Sequence, residues 1–329
     1  MKTATKKFNG KKNYTKKNNE TKSNPFLEMI VQGLEDVKQE NWEHYLKHQI
    51  DFTPKNLFSK LPYNRFNRFT LMLDMIIGGF SSPYYATFNQ ISKAGGLLKK
   101  GAKGRVIQYF SYVIKHKITG ERISLEVYKN LTGSKQNDYN LSSFVKYFRV
   151  FNADFISNLN EIDVEISNND EDLEDLTEVN ISEDAEAFIL KLKTLKGLKL
   201  IHDKKNTASY TPSKDVVTMP LIEWFKNETK YYSTLFHELI HWTGHESRLN
   251  RFSTSMIAET KQEYAFEELV AEMGAMLVYF DYNFKEEFIN SLVYLKGWLK
   301  HTKEESNKIE TLDNAFKASN KAVTFLYSN

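Results

Sequence analysis

The chain of 329 residues contains no cysteine. That absence excludes a disulfide framework and any thiolate metal site, and it fits a reducing compartment. Any metal must therefore be held by His, Asp or Glu. Long hydrophobic runs are missing too. The stretch LMLDMIIGGF, residues 71–80, has about half the roughly 18 residues that a membrane span requires, and it contains Asp74. A secretory signal is likewise absent from the N-terminus, because MKTATKKFNGKKNYTKKNNETKSN is basic without an apolar core or a small-residue cleavage site. These absences lead to the expectation of a soluble cytoplasmic protein with no membrane partner.

What is present is strongly polarised. The net charge of +3 conceals 26 Lys and Arg against 11 Asp and Glu in residues 1–150, and 19 against 31 in residues 151–329. One half is thus basic by 15 charges and the other acidic by 12, which suggests that only the first half faces a polyanion.

Apolar spacing begins after Asn24. Phe26, Ile30, Leu34 and Val37 recur at helical intervals, and a second helix is expected across NRFNRFTLMLDMII, stopped by Gly78 and Gly79. SSPYYATFNQISKAG reads as a turn and a short helix. GRVIQYFSYVIKHKITGERISLEVYKNLTG alternates and is rich in Val, Ile, Tyr and Phe, with a hairpin turn at Thr119-Gly120, and VKYFRVFNADFIS is a further strand. The following stretch, NEIDVEISNNDEDLEDLTEVNISEDAE, is densely acidic and has the composition of a linker. Beyond it come a helix, a few short strands and, from Glu223 onward, almost unbroken helical period. The expectation is an α+β protein. Its parts are a basic disordered tail (1–24), a small α+β domain (25–155), an acidic linker (156–184) and a mostly helical domain (185–329).

Within the second domain stands YYSTLFHELIHWTGHESRLN, residues 231–250. Residues four apart on a helix share a face about one turn apart, so His237 and His241 can aim both imidazoles at one ion. Glu238, beside the first histidine, is placed to act as general base toward a water that such an ion activates. An amphipathic helix that merely carries two histidines is the alternative, and a third ligand decides between them, since catalytic zinc sites usually use three. His245 lies beyond Gly244 and, on a continuous helix, would sit roughly 12 Å from His237. Ser247 stands where an extended motif would place a third histidine. In EYAFEELVAEMGAMLVYF the apolar line of Phe266, Leu269, Val270, Met273 and Leu277 leaves Glu268 and Glu272 one turn apart on a different line. Glu268 is therefore taken as third ligand and Glu272 as the acceptor that orients a histidine N–H, with Glu267 as the runner-up ligand. The donor set suits Zn2+, although iron, cobalt or manganese could occupy it. Tyr210, Tyr264 and His245 are candidate oxyanion donors.

Together, SYTPSKDVVTMP, YYSTLFHELIHWTGHESRLNR, YAFEELVAEMGA and the C-terminal YLKGWLKHTKEESNKIETLDNAFKASNKAVTFL resemble, in order, the ArdC-type antirestriction proteins of mobile elements. YNRFN and YATFNQISKAGGLLKKGAKG match that family's first domain more loosely, and Arg65 replaces its usual glycine. The resemblance implies a single-stranded-DNA-binding domain joined to a zincin-like, gluzincin-type metallopeptidase domain, and an edge strand at SKDVVTMP that pairs with a bound peptide. In the first domain Lys99, Lys100, Lys103 and Arg105 enter a strand bearing Tyr109, while Arg65 and Arg68 interleave with Tyr63, Phe66 and Phe69. Charge pattern alone fits a solvated lysine loop equally well; the resemblance favours single-stranded DNA, bound through cations on phosphates and aromatics under bases. The expected function is antirestriction by a DNA-binding zinc peptidase acting on a protein or peptide. Two alternatives remain beside it: a DNA-coating protein with a structural metal, and a regulatory protease that cleaves a repressor.

Overall fold

The computed structural model describes residues 25–36, 53–164, 181–252, 257–258, 260–282, 284–299 and 305–328. The expected tail and the middle of the acidic stretch lie outside these residues. The first helices, α1 (Pro25–Asp36) and α2 (Arg65–Gly78), bury their apolar faces almost completely. Asn64 caps α2 by accepting from the Asn67 N–H, and Gly79, with φ of 61°, closes it in the left-handed conformation that glycine adopts without strain.

A five-stranded sheet follows, built from β1 (Lys55–Asn56), β2 (Tyr84–Thr87), β3 (Arg105–His116), β4 (Arg122–Ile123) and β5 (Tyr139–Asn152), in the order β1-β2-β5-β3-β4. Within the expected turn-and-helix stretch, YYAT is a strand, and Thr87 ends it by capping the short helix α3 (Phe88–Lys93) with Gln90 in a reciprocal box. The LEVYKN segment, expected to continue the alternation, is instead the helix α4 (Leu125–Asn130), capped by Ser124. Helix α5 (Gly133–Gln136) leads into β5. Strands β3 and β5 pair antiparallel from Arg105↔Val150 to His116↔Tyr139. Much of this ribbon is exposed on both faces, because only its inner end reaches the helices.

The packed chain of the first half extends past the expected boundary at residue 155. Ile156 and Ile162 are buried with Leu57, Tyr84 and Ile91 in a satellite cluster. The second half opens with α6 (Ile181–Lys196) and a three-stranded sheet, β6 (Leu200–His202), β7 (Ser209–Thr211) and β8 (Val216–Met219), in the order β6-β8-β7. Four helices complete it: α7 (Glu228–Thr243), α8 (Lys261–Tyr279), α9 (Lys285–Leu299) and α10 (Glu305–Tyr327). The architecture is α+β, with a sheet-bearing N-terminal half and a mostly helical C-terminal half. No described helix is long and apolar enough to cross a membrane.

The two halves share one apolar core. Phe66 and Phe69 of α2 meet Phe316 of α10 edge-on at 4.9 and 5.2 Å between ring centres, and Phe69 also meets Phe288 of α9. Lys296 and Lys308 reach Glu35 at the end of α1. Because α1 and α2 bury one face against the C-terminal helices, the sheet and the second half are held in a defined relation.

Candidate functional site

Helix α7 is amphipathic only where it must be. Tyr231, Tyr232, Leu235, Phe236, Leu239, Ile240 and Trp242 are buried on its apolar sides. It ends at Gly244, where a side chain would strike the Phe252 ring at 2.4 Å. Helix α8 starts from a reciprocal cap between Thr260 and Glu263 and crosses α7 closely at Gly274. A Cβ there would lie 2.7 Å from the Ile240 side chain.

This crossing brings His237, His241 and Glu268 together, with one donor atom from each lying within 4.8 Å of the others. The two Nε2 atoms are 3.2 Å apart. Glu268 oxygens lie 3.5 Å from Nε2 of His237 and 3.6 Å from Nε2 of His241. Ligands about 2.0–2.1 Å from a tetrahedral ion stand roughly 3.4 Å from one another. The observed separations match, so the residues fit a divalent ion with two imidazoles and one carboxylate.

The outer ring nitrogens are also held. Nδ1 of His237 is 3.1 Å from Oε2 of Glu272, and Nδ1 of His241 is 3.2 Å from Oε1 of Glu267. Each carboxylate accepts an Nδ1–H, which leaves the Nε2 lone pairs facing inward. Glu267 is buried, not an exposed residue at the start of a helix, and it lies on the far side of His241 from the Nε2 cluster. Arg251 donates to both its oxygens at 2.7 and 3.0 Å and also to Thr243 and to the Ile240 carbonyl, tying the end of α7 to α8. Sequence reasoning missed Arg251. Its only signal was the adjacency of two glutamates, one of which needed a partner away from the ion.

Electrostatics follow this geometry. Burial disfavours protonation of His237, but Glu268 and Glu272 outweigh it and hold the imidazole well above its ordinary pKa. Burial raises Glu268 and Glu267, yet the histidines, with Tyr264 on the first and Arg251 on the second, bring both below the usual carboxylate range. Tyr264 is pushed up to about 12 by burial and by Glu268. Glu238 is buried, has no hydrogen-bonding partner among the described residues, and lies near enough to His237 and Tyr264 to influence both. A cavity of about 360 Å³ opens beside His237, Glu268 and Glu272, with Lys230, Glu287 and Tyr294 on its walls.

Other sequence candidates stand elsewhere. The Tyr210 hydroxyl donates to Asp215 at 2.9 Å and accepts from Arg248, so it is engaged in its own network. His245 bonds Ser247 at 2.8 Å. The strand expected at an edge, β8, is central, paired parallel with β6 and antiparallel with β7, so its backbone has no open side for a peptide. In the first half, Arg68 faces Asp281 at 3.7 Å and the Phe280 ring, Arg65 lies over Tyr327, and Arg105 pairs with the buried Asp74. Arg65 and Arg68 thus lie half-buried where α2 meets the C-terminal half, and Arg105 is tied to Asp74 at the start of β3. Lys99 donates to the Asp154 carbonyl at 2.7 Å, and Lys99, Lys100 and Lys103 are exposed. Tyr109 is 58% exposed on the ribbon and Tyr112 43%, an aromatic surface that the core leaves uncovered.

Comparison with known proteins agrees with these features. A family model described as the N-terminal domain of anti-restriction factor ArdC matches residues 21–151, and one described as zincin-like metallopeptidase matches residues 183–315. The chain is 26% identical over 295 residues to DNA primase TraC of Escherichia coli, covering 87% of this chain and 26% of that protein. It is 24% identical over 260 residues to the uncharacterized protein y4eC of Sinorhizobium fredii, covering 79% of this chain and 76% of that protein. The chain thus spans about a quarter of the length of the primase it matches. Its fold is similar to the crystal structure of the antirestriction protein ArdC from plasmid R388 in a Mn(II)-bound form, with a TM-score of 0.58 and 24% identity over 92% of this chain and 97% of that one. The metal-free form of that protein gives a TM-score of 0.54. The chain thus matches an ArdC N-terminal domain followed by a zincin-like metallopeptidase domain, and its fold is similar along nearly its whole length to that of the antirestriction protein ArdC.

Proposed function

We propose that the protein is a DNA-binding metallopeptidase of the antirestriction type: its first half holds single-stranded DNA and its second half cleaves a peptide bond. The convergence of the His237, His241 and Glu268 donor atoms at the spacing of a tetrahedral divalent ion carries the peptidase reading. Zinc is the ion that this donor set suits best. When bound, it supplies Lewis-acid activation of water and of the substrate carbonyl.

The chain's own residues do the rest. Glu272 and Glu267 hold the imidazoles in one tautomer and orientation. Glu238, buried and with no hydrogen-bonding partner among the described residues, takes the proton from the attacking water on its carboxylate and returns it to the leaving amine. Tyr264, whose hydroxyl bonds Glu268, stands beside the ligand carboxylate and would reach the developing oxyanion by exchanging that partner for it. Lys99, Lys100 and Lys103 supply charge for phosphates and the exposed Tyr109 and Phe148 on one face of the ribbon supply stacking faces, which supports the single-strand reading. In this reading the protein localises on incoming element DNA and shields it from host restriction in the cytoplasm.

Elemental analysis of chelator-free wild type and Glu268→Ala tests the centre. One equivalent of zinc in the wild type and a marked loss in the variant are expected. Absence of metal from zinc-supplied wild type refutes the centre. Glu238→Gln then separates the mechanisms: loss of DNA protection with metal retained supports proteolysis, whereas full protection supports coating alone.

A further inference from the structure

A second pocket, of about 450 Å³, lies in the first half where β1, the start of α2 and the exposed ribbon meet. Its apolar side is aromatic. Tyr109 and Phe148 stand edge to face with ring centres 6.4 Å apart, and both are exposed over more than two-fifths of their surface. The register places Tyr109 diagonally across from Phe148, on one face of the ribbon.

Its polar side is rigid. Asn56 accepts from the N–H groups of Phe58 and Ser59 and donates to the Tyr63 hydroxyl at 3.2 Å, and Tyr63 in turn donates to the Tyr85 carbonyl at 3.0 Å. Oε1 of Gln90 accepts from the Thr87 N–H and hydroxyl at 2.9 Å each, which orients the amide. Nε2 of Gln90 is left with no partner among the described residues, and the same holds for Nδ2 of Asn64, whose oxygen caps α2. Asn67 clamps the ribbon beside the pocket by bonding both the N–H and the carbonyl of Gln108.

A pocket with uncovered aromatic walls, a locked polar floor and unused amide donors suits a flat, neutral group with carbonyl oxygens on its edge. An unpaired nucleobase has that shape and chemistry, and base edges offer acceptors to amide side chains. We propose that this pocket takes one nucleobase from the bound single strand, stacked against Tyr109 and Phe148 with an edge carbonyl facing the Gln90 amide. The proposal rests on the single-strand reading above and adds to it a place where the protein holds the base as well as the backbone.

The test compares oligothymidylate with an abasic deoxyribose-phosphate strand of the same length, by fluorescence anisotropy at one salt concentration. The full-length wild type, Tyr109→Ala and Tyr112→Ala are measured; Tyr112 lies on the opposite ribbon face. Wild type is expected to favour oligothymidylate by roughly ten- to a hundredfold, the range of one base stacked on an aromatic side chain. Tyr109→Ala should lose most of that ratio while binding the abasic strand as wild type does, which also shows that it is folded. Tyr112→Ala should keep the ratio. Equal wild-type affinity for both strands overturns the pocket and leaves single-strand binding standing, whereas binding of neither strand overturns both readings. A ratio that survives Tyr109→Ala, or falls equally in Tyr112→Ala, also overturns the pocket.

Discussion

Replacing Gly274 by alanine probes how the metal centre is spaced. The added Cβ would lie 2.7, 2.8 and 3.0 Å from Cδ1, Cγ1 and Cγ2 of Ile240, against an ordinary carbon contact of about 3.5–4.0 Å. Ile240 is fully buried, so the helices must separate by several tenths of an ångström or the side chain must leave its rotamer. Overpacking of this kind costs about 1–3 kcal/mol, while alanine in place of glycine within a helix contributes about 1 kcal/mol of stability. The net loss is about 0–2 kcal/mol, or a few degrees in Tm. The effect on metal should be larger, because two ligands ride on α7 and one on α8, and a metal site tolerates roughly 0.5 Å of displacement. We expect zinc affinity to fall by about tenfold, measured by competition with a chelating dye. Adding Ile240→Ala removes all three clashing atoms and should restore affinity toward wild type, although that substitution alone costs about 2–5 kcal/mol. A Gly274→Ala variant that is stabilised by about 1 kcal/mol and binds zinc as wild type does would refute the reasoning, because helix propensity alone would then account for it.

Glu272→Ala and Glu267→Ala should each weaken metal binding by about 10- to 100-fold in the same titration, and only Glu267→Ala should also lower thermal stability, because it leaves the half-buried Arg251 without its carboxylate. Arg105→Met leaves Asp74 buried without its cation and should cost about 3–5 kcal/mol in chemical denaturation. By contrast, exposed Lys100→Ala and Lys103→Ala should leave stability unchanged and each reduce the salt dependence of DNA binding by about one unit of slope. Asp215 is raised by burial but lowered more by Arg248 and Tyr210, so its folded pKa lies below the unfolded one. Its contribution is therefore present above about pH 4 and is lost as pH falls through the folded value. Asp215→Asn should be destabilised at pH 7, with the gap to wild type closing below about pH 4 in pH-dependent melting.

Local rules carried much of the molecule. Asn64, Gly79, Thr87 and Thr260 sit where short polar side chains and glycine end helices, and these signals act over a few residues. Alternation in β3 was legible for the same reason. It misled at LEVYKN, where the Ser124 cap and a short helix prevail over the alternation that Val127 continues. The role of β8 was not legible, because strand order depends on which segments arrive on either side and a single strand does not encode its neighbours. Arg65, Arg68 and Arg105 read as a cationic surface, since nothing local announces Asp281, Tyr327 or Asp74 as their partners.

By itself, the sequence determined that His237 and His241 share a helical face one turn apart, that any ion there has only nitrogen and oxygen donors, and that the basic charge lies in the first half. Periodicity and composition are enough for those statements. Tertiary structure alone decided how α8 is rotated against α7. Adjacent residues on a helix point about 100° apart, so that rotation turns Glu268 toward the two Nε2 atoms and Glu267 toward Nδ1 of His241 and Arg251. It also decided that α1 and α2 pack on the last helices, which half-buries Arg65 and Arg68 and leaves the β3–β5 ribbon uncovered. The reason is that a contact between distant segments is selected by the complementarity of whole faces, and no short window of residues contains both faces.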